Sequence, residues 1–243
     1  MFLRSRRVRR WVLVVVIVLV VLAGGWYALL GVAKSRTFQF FGDIASRADT
    51  AEPVVALTFD DGPDPAGTEA ILDVLRQRQV PATFFLIGRD LAAHPELGRA
   101  IAAAGHEIGN HSFSHERMIG VTPGWVADEV EATDALIRAT GYQGAIHFRP
   151  PNGKKLFALP HYLAEHGRTT VTWDVEPDSA GTPGTDRIVE DTVAQARPGS
   201  IILLHAMYPG RDATRRAIGP IIDRLKQRGL RFVTVTQLLA VRR

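Results

Sequence analysis

Val54-Val55-Ala56-Leu57-Thr58-Phe59-Asp60-Asp61-Gly62-Pro63 is a run of apolar, β-favouring side chains that ends in two adjacent carboxylates and a turn dipeptide. A near-continuous apolar run of this length, bounded by turn residues, reads as a strand of a parallel sheet. The arrangement recurs along the chain. His111-Ser112-Phe113-Ser114-His115, Phe148-Arg149-Pro150-Pro151, Trp173-Asp174-Val175-Glu176-Pro177-Asp178 and Leu203-Leu204-His205 each stand just after a strand-like segment. Parallel strands followed by helices bring their C-terminal ends to one face, where such barrels hold their active sites. Chance would scatter polar groups over both faces, so five motifs at strand ends predict one shared site.

Outward from this stretch the pattern predicts strands over 54–59, 82–87, 106–108, 145–148, 169–173, 200–204 and 232–235. Helices are predicted over 69–78, 91–104, 124–139, 155–166, 186–196, 213–228 and 237–241. Thr122-Pro123 is a start signal, and Gly105, Gly141, Gly167 and Gly229 are stops. Strands alternating with helices predict an α/β fold, a distorted (β/α) barrel of about seven parallel strands. The length of 243 residues, 46% of them hydrophobic, suits one such domain plus an apolar segment.

That segment is residues 11–33, which carry no charged side chain. At about 1.5 Å per residue they span about 34 Å, enough to cross a bilayer core. Arg4, Arg6, Arg7, Arg9 and Arg10 precede them. The positive-inside rule keeps these arginines in the cytoplasm and sends the rest of the chain to the extracytoplasmic side of a bacterial-type envelope. Gly31-Val32-Ala33 is a tolerable cleavage site, but the apolar run exceeds the usual signal-peptide core, so a retained anchor is the preferred reading. The expected organisation is a basic cytoplasmic tail (1–10), a transmembrane helix (11–33), a linker (34–52) whose Phe38, Phe40 and Phe41 pack on the domain, with a place near the lipid interface as the alternative, and a catalytic domain (53–243). Subtracting the five arginines from the net charge of +4 leaves −1 for the remainder. The basic balance is therefore a topology signal, and no nucleic-acid partner is implied. The absence of cysteine excludes disulfides, catalytic thiols and thiolate-bound zinc.

His111 and His115 lie four apart, so a turn of helix or a tight loop can aim both imidazoles at one point, and a carboxylate from Asp60 or Asp61 completes a set of three. Two histidines and a carboxylate leave open positions for water and substrate. Non-haem iron oxygenases use the same trio, but a second aspartate beside the ligand suits a general base acting on water, which an oxygenase does not need. The pattern points to a metal-dependent hydrolase.

In combination the five motifs resemble the polysaccharide deacetylases, carbohydrate esterase family 4, with its NodB homology domain. The resemblance spans about residues 53–240. It implies that Asp60 is the catalytic base, that Asp61, His111 and His115 hold one divalent metal ion, and that Arg149 steadies Asp60. His205 would protonate the leaving amine, oriented by Asp178. The backbone N–H of Asn152 would face the oxyanion, and Leu203 would line the pocket for the acetyl methyl group. Zinc is the expected ion, with cobalt and nickel as alternatives. The sequence departs from the family in having Asn152 where a tyrosine is usual and Ser179 where a tryptophan is frequent, so activity is expected to persist with altered substrate contacts. Trp173, at a strand end, is a candidate for stacking on a sugar ring, as is Trp125, although such aromatics also serve as core. His94, His106, His147, His161 and His166 receive no role. The expected activity is removal of N-acetyl groups from N-acetylhexosamine units of an extracytoplasmic glycan such as peptidoglycan or a chitin-like oligosaccharide. An O-acetyl esterase is the nearest alternative and a non-catalytic glycan-binding module the remoter one.

Overall fold

The computed structural model describes residues 2–243, with side chains from Arg7 onward; Met1 and the side chains of Arg4 and Arg6 lie outside the described residues. The elements in chain order are α1 (Phe2–Lys34), β1 (Ile44–Ala45), β2 (Val54–Asp60), α2 (Thr68–Arg78), β3 (Thr83–Leu86), α3 (Gly88–Ala93), α4 (Pro95–Ala103), β4 (Glu107–Asn110), α5 (Pro123–Ala139), α6 (Ala158–Glu165), β5 (Thr170–Val171), α7 (Thr185–Gln195), β6 (Ile201–Leu204), α8 (Asp212–Gln227), β7 (Arg231–Val233) and α9 (Val235–Ala240). The Arg7–Lys34 stretch of α1 is long and apolar enough to cross a membrane. Its Trp11, Leu13, Val20 and Leu22 are all mainly exposed. From Trp11 to Tyr27 this helix is apolar all round and exposed, as a segment solvated by an apolar medium would be.

β2 is the axis of the domain. All seven of its residues are buried, which is why the run does not alternate. It pairs in parallel with β3 through Thr58 to Asp60, with β6 through Ala56 to Phe59, and with β7 through Val54 to Ala56. β4 continues the sheet beyond β3, and β1 pairs with β5. Single parallel bridges, Asn110 to Phe148, Phe148 to Thr170 and Val175 to Ile202, carry the ring from β4 round to β6. The result is a distorted (β/α) barrel. The main core lies between the sheet and α2, α4, α5, α7 and α8 and includes Leu57, Phe59, Phe84, Ile202 and Ile222. A smaller cluster holds Phe85, Val171, Trp173 and Leu203.

Three departures from the sequence expectations have local causes. The strand expected over 145–148 reduces to bridges at Phe148, because Pro150 and Pro151 follow and cannot donate to a ladder. The helix expected over 91–104 is two helices broken at His94 (φ −131, ψ 59), since a residue before proline is pushed out of the helical region. The 34–52 stretch is folded onto the barrel through β1 and the buried Ala45 and Ala48. Within it Phe38, Phe40 and Phe41 remain substantially exposed. The start at Thr122 holds, its hydroxyl accepting the Trp125 N–H, as do the stops at Gly141 (φ 92) and Gly229 (φ 81), where a left-handed turn favours glycine.

Candidate active site

Asp60 closes β2 and is almost fully buried. Its Oδ1 accepts from Arg149 Nη1 at 2.5 Å. Arg149 is fully buried too, yet its guanidinium is well satisfied. It donates to Thr58 Oγ1 at 2.8 Å and to the carbonyls of Thr172 at 3.2 Å and Val171 at 3.4 Å, and it lies 4.0 Å over the Phe85 ring. A buried ion pair is tolerable only when its remaining donors are met in this way.

Successive side chains of a strand point to opposite faces. Asp61 escapes that alternation through a left-handed backbone (φ 76), and both carboxylates border the same cavity. His111 and His115 arrive on a tight loop in which Ser112 (φ 64) and His115 (φ 62) are also left-handed. Three such non-glycine residues persist only if the surroundings hold them. The hold is visible: Glu129 Oε2 accepts the N–H of Phe113 at 2.9 Å and of Ser114 at 2.8 Å. Ser112 Oγ accepts the His115 N–H at 3.0 Å, and Asn110 Oδ1 accepts the Ser112 N–H at 2.8 Å. Asn110 is fixed in turn by Asp134 and the Val130 carbonyl.

His111 Nδ1 lies 2.7 Å from the Arg149 carbonyl, an acceptor, so Nδ1 carries the proton and Nε2 presents its lone pair to the cavity. That Nε2 is 3.9 Å from Asp61 Oδ1, and His115 Nε2 is 3.3 Å from the same oxygen. One ligand atom from each of Asp61, His111 and His115 lies within 4.8 Å of the others. Burial pushes both imidazole pKa values down, toward the neutral form that binds metals, and pushes the Asp61 carboxyl up. A half-buried carboxylate beside two imidazoles held toward neutrality, one locked in its tautomer by a carbonyl, is a donor set that fits a divalent cation.

His205 follows β6 at the opposite wall. Asp178, buried, accepts the His205 backbone N–H at 2.7 Å through Oδ2 and faces Nδ1 at 3.2 Å through Oδ1; Thr214 Oγ1 also donates to it at 3.2 Å. Burial opposes charge on His205, but the Asp178 hydrogen bond and the charges of Asp178, Asp60 and Asp61 outweigh it and raise its pKa to about 9. The same hydrogen bond overcomes burial at Asp178 and lowers its pKa. The two groups form an imidazolium–carboxylate pair beside the cavity. That cavity, of about 440 Å³, is bordered by Asp60, Asp61, His111, His115, Asn152, Trp173 and His205, and also by Lys34, Arg36, Lys154, Glu176 and Arg211.

A family model described as polysaccharide deacetylase matches residues 47–171, just over half of the chain. The chain belongs to the polysaccharide deacetylase family. A chitooligosaccharide deacetylase of Bradyrhizobium sp. (strain ANU 289) is 39% identical over 210 residues, covering 82% of this chain and 94% of that protein. A peptidoglycan-N-acetylglucosamine deacetylase of Bacillus cereus is 38% identical over 194 residues, with 77% and 89% covered. Among solved structures, the Bc1960 peptidoglycan N-acetylglucosamine deacetylase, in complex with an N-hydroxybenzamide compound, superposes with a TM-score of 0.76 at 32% identity, covering 81% and 94% of the two chains. These relatives are deacetylases, hydrolases of the amide bonds of N-acetyl groups, and so is the class of this enzyme.

Within the deacetylase fold, the remaining candidates are unevenly placed. Asn152, left-handed (φ 54) and exposed, borders the cavity in the turn Pro151–Gly153. Trp173 borders it too, but its Nε1–H is tied to Glu176 at 2.7 Å and Arg36 covers its ring at 4.7 Å. Leu203 is fully buried in the cluster with Trp173 and does not border the cavity. Trp125 lies against the cluster of Val126, Val130 and Leu159. The five histidines without a role stand away from the cavity; His161 faces Glu165 at 3.2 Å and His147 faces Glu107 at 3.7 Å, carboxylate contacts that the sequence spacing did not suggest for the latter. Glu129 and Arg36 escaped the sequence reading, and Glu176 stood in it only as part of the Trp173–Asp178 motif. Glu129 sits mid-helix in α5, far in sequence from the loop it holds, and Arg36 belongs to the stretch read as a linker.

Proposed function

We propose that this protein is a single-pass membrane enzyme that removes N-acetyl groups from N-acetylhexosamine units of a polysaccharide outside the cytoplasmic membrane, peptidoglycan or a chitin-like oligosaccharide. One observation carries the reading. The Asp60–Arg149 pair, the Asp61/His111/His115 trio and the Asp178–His205 pair open onto one cavity, so a base, a cation site and a protonated imidazole can act on one bond. The chitooligosaccharide and peptidoglycan relatives support the substrate class. The arginine-rich start followed by the apolar Arg7–Lys34 stretch supports an anchor whose catalytic domain is extracytoplasmic.

Asp61, His111 and His115 would hold a divalent cation, zinc first and cobalt or nickel as alternatives, which would supply Lewis-acid chemistry at the site. Asp60, oriented by Arg149, accepts the proton of the attacking water as its oxygen bonds to the acetamide carbon. The Asn152 backbone N–H is assigned to the developing oxyanion. His205, protonated and held by Asp178, donates to the nitrogen as the C–N bond breaks, leaving a free sugar amine and acetate. Trp173 forms part of the pocket wall.

Acetate release by the full-length protein, stripped of metal and resupplied with zinc, tests this on N-acetylglucosamine oligomers, peptidoglycan and matched O-acetylated sugars. Zinc-dependent release from the N-acetyl substrates, lost in Asp60→Asn, is expected. Release from the O-acetyl sugars alone would make the enzyme an esterase, and undiminished turnover in Asp60→Asn would remove Asp60 as the base.

A further inference from the structure

The membrane helix does not end at a linker; it ends in the wall of the catalytic cavity. Lys34, the last residue of α1, and Arg36 both border that cavity, alongside Lys154. The junction is fastened from the barrel side. The Lys155 backbone N–H reaches the Ala33 carbonyl at 3.2 Å, the buried Lys155 ammonium donates to the Ser35 carbonyl at 2.5 Å, and Thr172 Oγ1 donates to the Arg36 carbonyl at 2.6 Å. Arg36 is further held by Glu176 at 2.6 Å and by the Trp173 face. Since the apolar run continues to Ala33, the rim of the cavity at Lys34 lies at the level of the lipid headgroups.

Two further features face the same way. Phe38, Phe40, Phe41 and Phe157 are 40–51% exposed. Phe38 meets Phe40 edge-on at 5.7 Å, and Phe40 stacks on Phe157 at 5.0 Å. Exposed phenylalanines beside the end of a membrane helix suit burial at the headgroup–acyl boundary of a bilayer. The cavity rim on this side is also cationic. Burial and the charges of Lys34, Arg117 and Arg36 push the Lys154 pKa down, which records how closely these four cations gather. Of the cations at the rim only Arg36 has a carboxylate partner; among the described residues neither Lys34 nor Lys154 forms an ion pair. Neutral sugar rings need no such charge, whereas phosphate does.

We propose that the substrate is itself membrane-borne: an N-acetylated sugar joined through phosphate to a lipid, with the phosphate against Lys34, Arg36 and Lys154 and the acetamide at Asp60 and His205. This rests on the deacetylase reading of the site and on α1 as a membrane span. It narrows the substrate from glycans at large to those still attached to the bilayer.

The test uses the full-length, zinc-loaded protein in lipid nanodiscs with three substrates. The first is N-acetylglucosamine linked through a diphosphate to a long-chain isoprenol in the same disc. The second is the same sugar on an uncharged ether lipid, and the third a soluble N-acetylglucosamine tetramer. Acetate release from the diphosphate-linked sugar is expected to exceed that from the neutral lipid by about tenfold or more in kcat/KM, as two or three cation–phosphate contacts at a membrane surface would give. The ratio should fall several-fold in the Lys34→Gln, Lys154→Gln double variant and return in Lys34→Arg, Lys154→Arg, with zinc binding and melting temperature confirming that both are folded. Equal rates on the two lipid-linked sugars would overturn the assignment of the cations to phosphate. A soluble tetramer that matches the diphosphate-linked sugar would overturn the membrane-borne substrate while leaving the deacetylase standing. No acetate from any substrate with zinc bound would bring down the deacetylase reading and this inference with it.

Discussion

At the scale of single residues, each pair in the site trades burial against charge. Arg149 and Asp60 are out of water and satisfy one another, so deleting one strands the other. Arg149→Ala is expected to destabilise the fold by about 3–5 kcal/mol, measured by denaturant unfolding, because an uncompensated buried carboxylate remains. The His205 pKa of about 9 places the imidazole in its protonated form at neutral pH, as the proposed acid role requires. As a general acid it is competent below that value and lost above it, so activity should decline on the alkaline side near pH 9. Asp178→Asn should move this decline toward the ordinary imidazole value near 6.5 and lower kcat; a pH profile with an unmoved alkaline limb would show that Asp178 does not act through His205. The sign of the stability effect follows. A raised folded-state pKa stabilises fully below about 6.5 and fades as pH rises through about 9, so the melting difference between the wild type and Asp178→Asn should shrink over that interval.

At the scale of elements, the barrel is built from strands of two to seven residues, and the site depends on what braces the loops between them. Glu129 in α5 accepts two N–H groups of the His111–His115 loop. Glu129→Ala should cost about 1–3 kcal/mol through those unmet donors and weaken zinc binding in a calorimetric titration, whereas a purely local helix defect would leave the affinity alone. Sequence reasoning located β2 through β7 to within a few residues, most plainly β2, β3 and β6 with their largely apolar runs, and Asp60, Asp61, His111, His115 and His205 beyond those strands do converge. Its failures were of another kind. The 145–148 strand looks apolar enough, but its continuation is set by Pro150 and Pro151 and by which neighbours remain unpaired. β1 is two residues long and exists through its pairing with β5, some 125 residues on. Leu203 lies one residue short of the end of β6 and two before His205, yet its side chain is in the core. Side-chain direction at a strand end, and braces reaching across the fold, leave no periodic trace in the sequence.

At the scale of the whole molecule, an ion held by Asp61, His111 and His115 would tie the end of β2 to the His111–His115 loop. An ion bound in the folded state stabilises by about 2.7 kcal/mol at a hundredfold excess over its dissociation constant. Removing it by chelation should lower the melting temperature of a domain this size by about 5–10 °C, recovered on adding zinc; an unchanged melting curve would mean that the trio holds no ion. The seating of Ala33 has a consequence for how the enzyme matures. Its side chain is fully buried and its carbonyl is bonded by Lys155. Once the barrel has closed over this residue, a peptidase can no longer draw the Gly31-Val32-Ala33 segment into an extended conformation for hydrolysis. Were that segment a cleavage site, tethering or release would turn on which came first, the clipping of the exported chain or the docking of its own helix end.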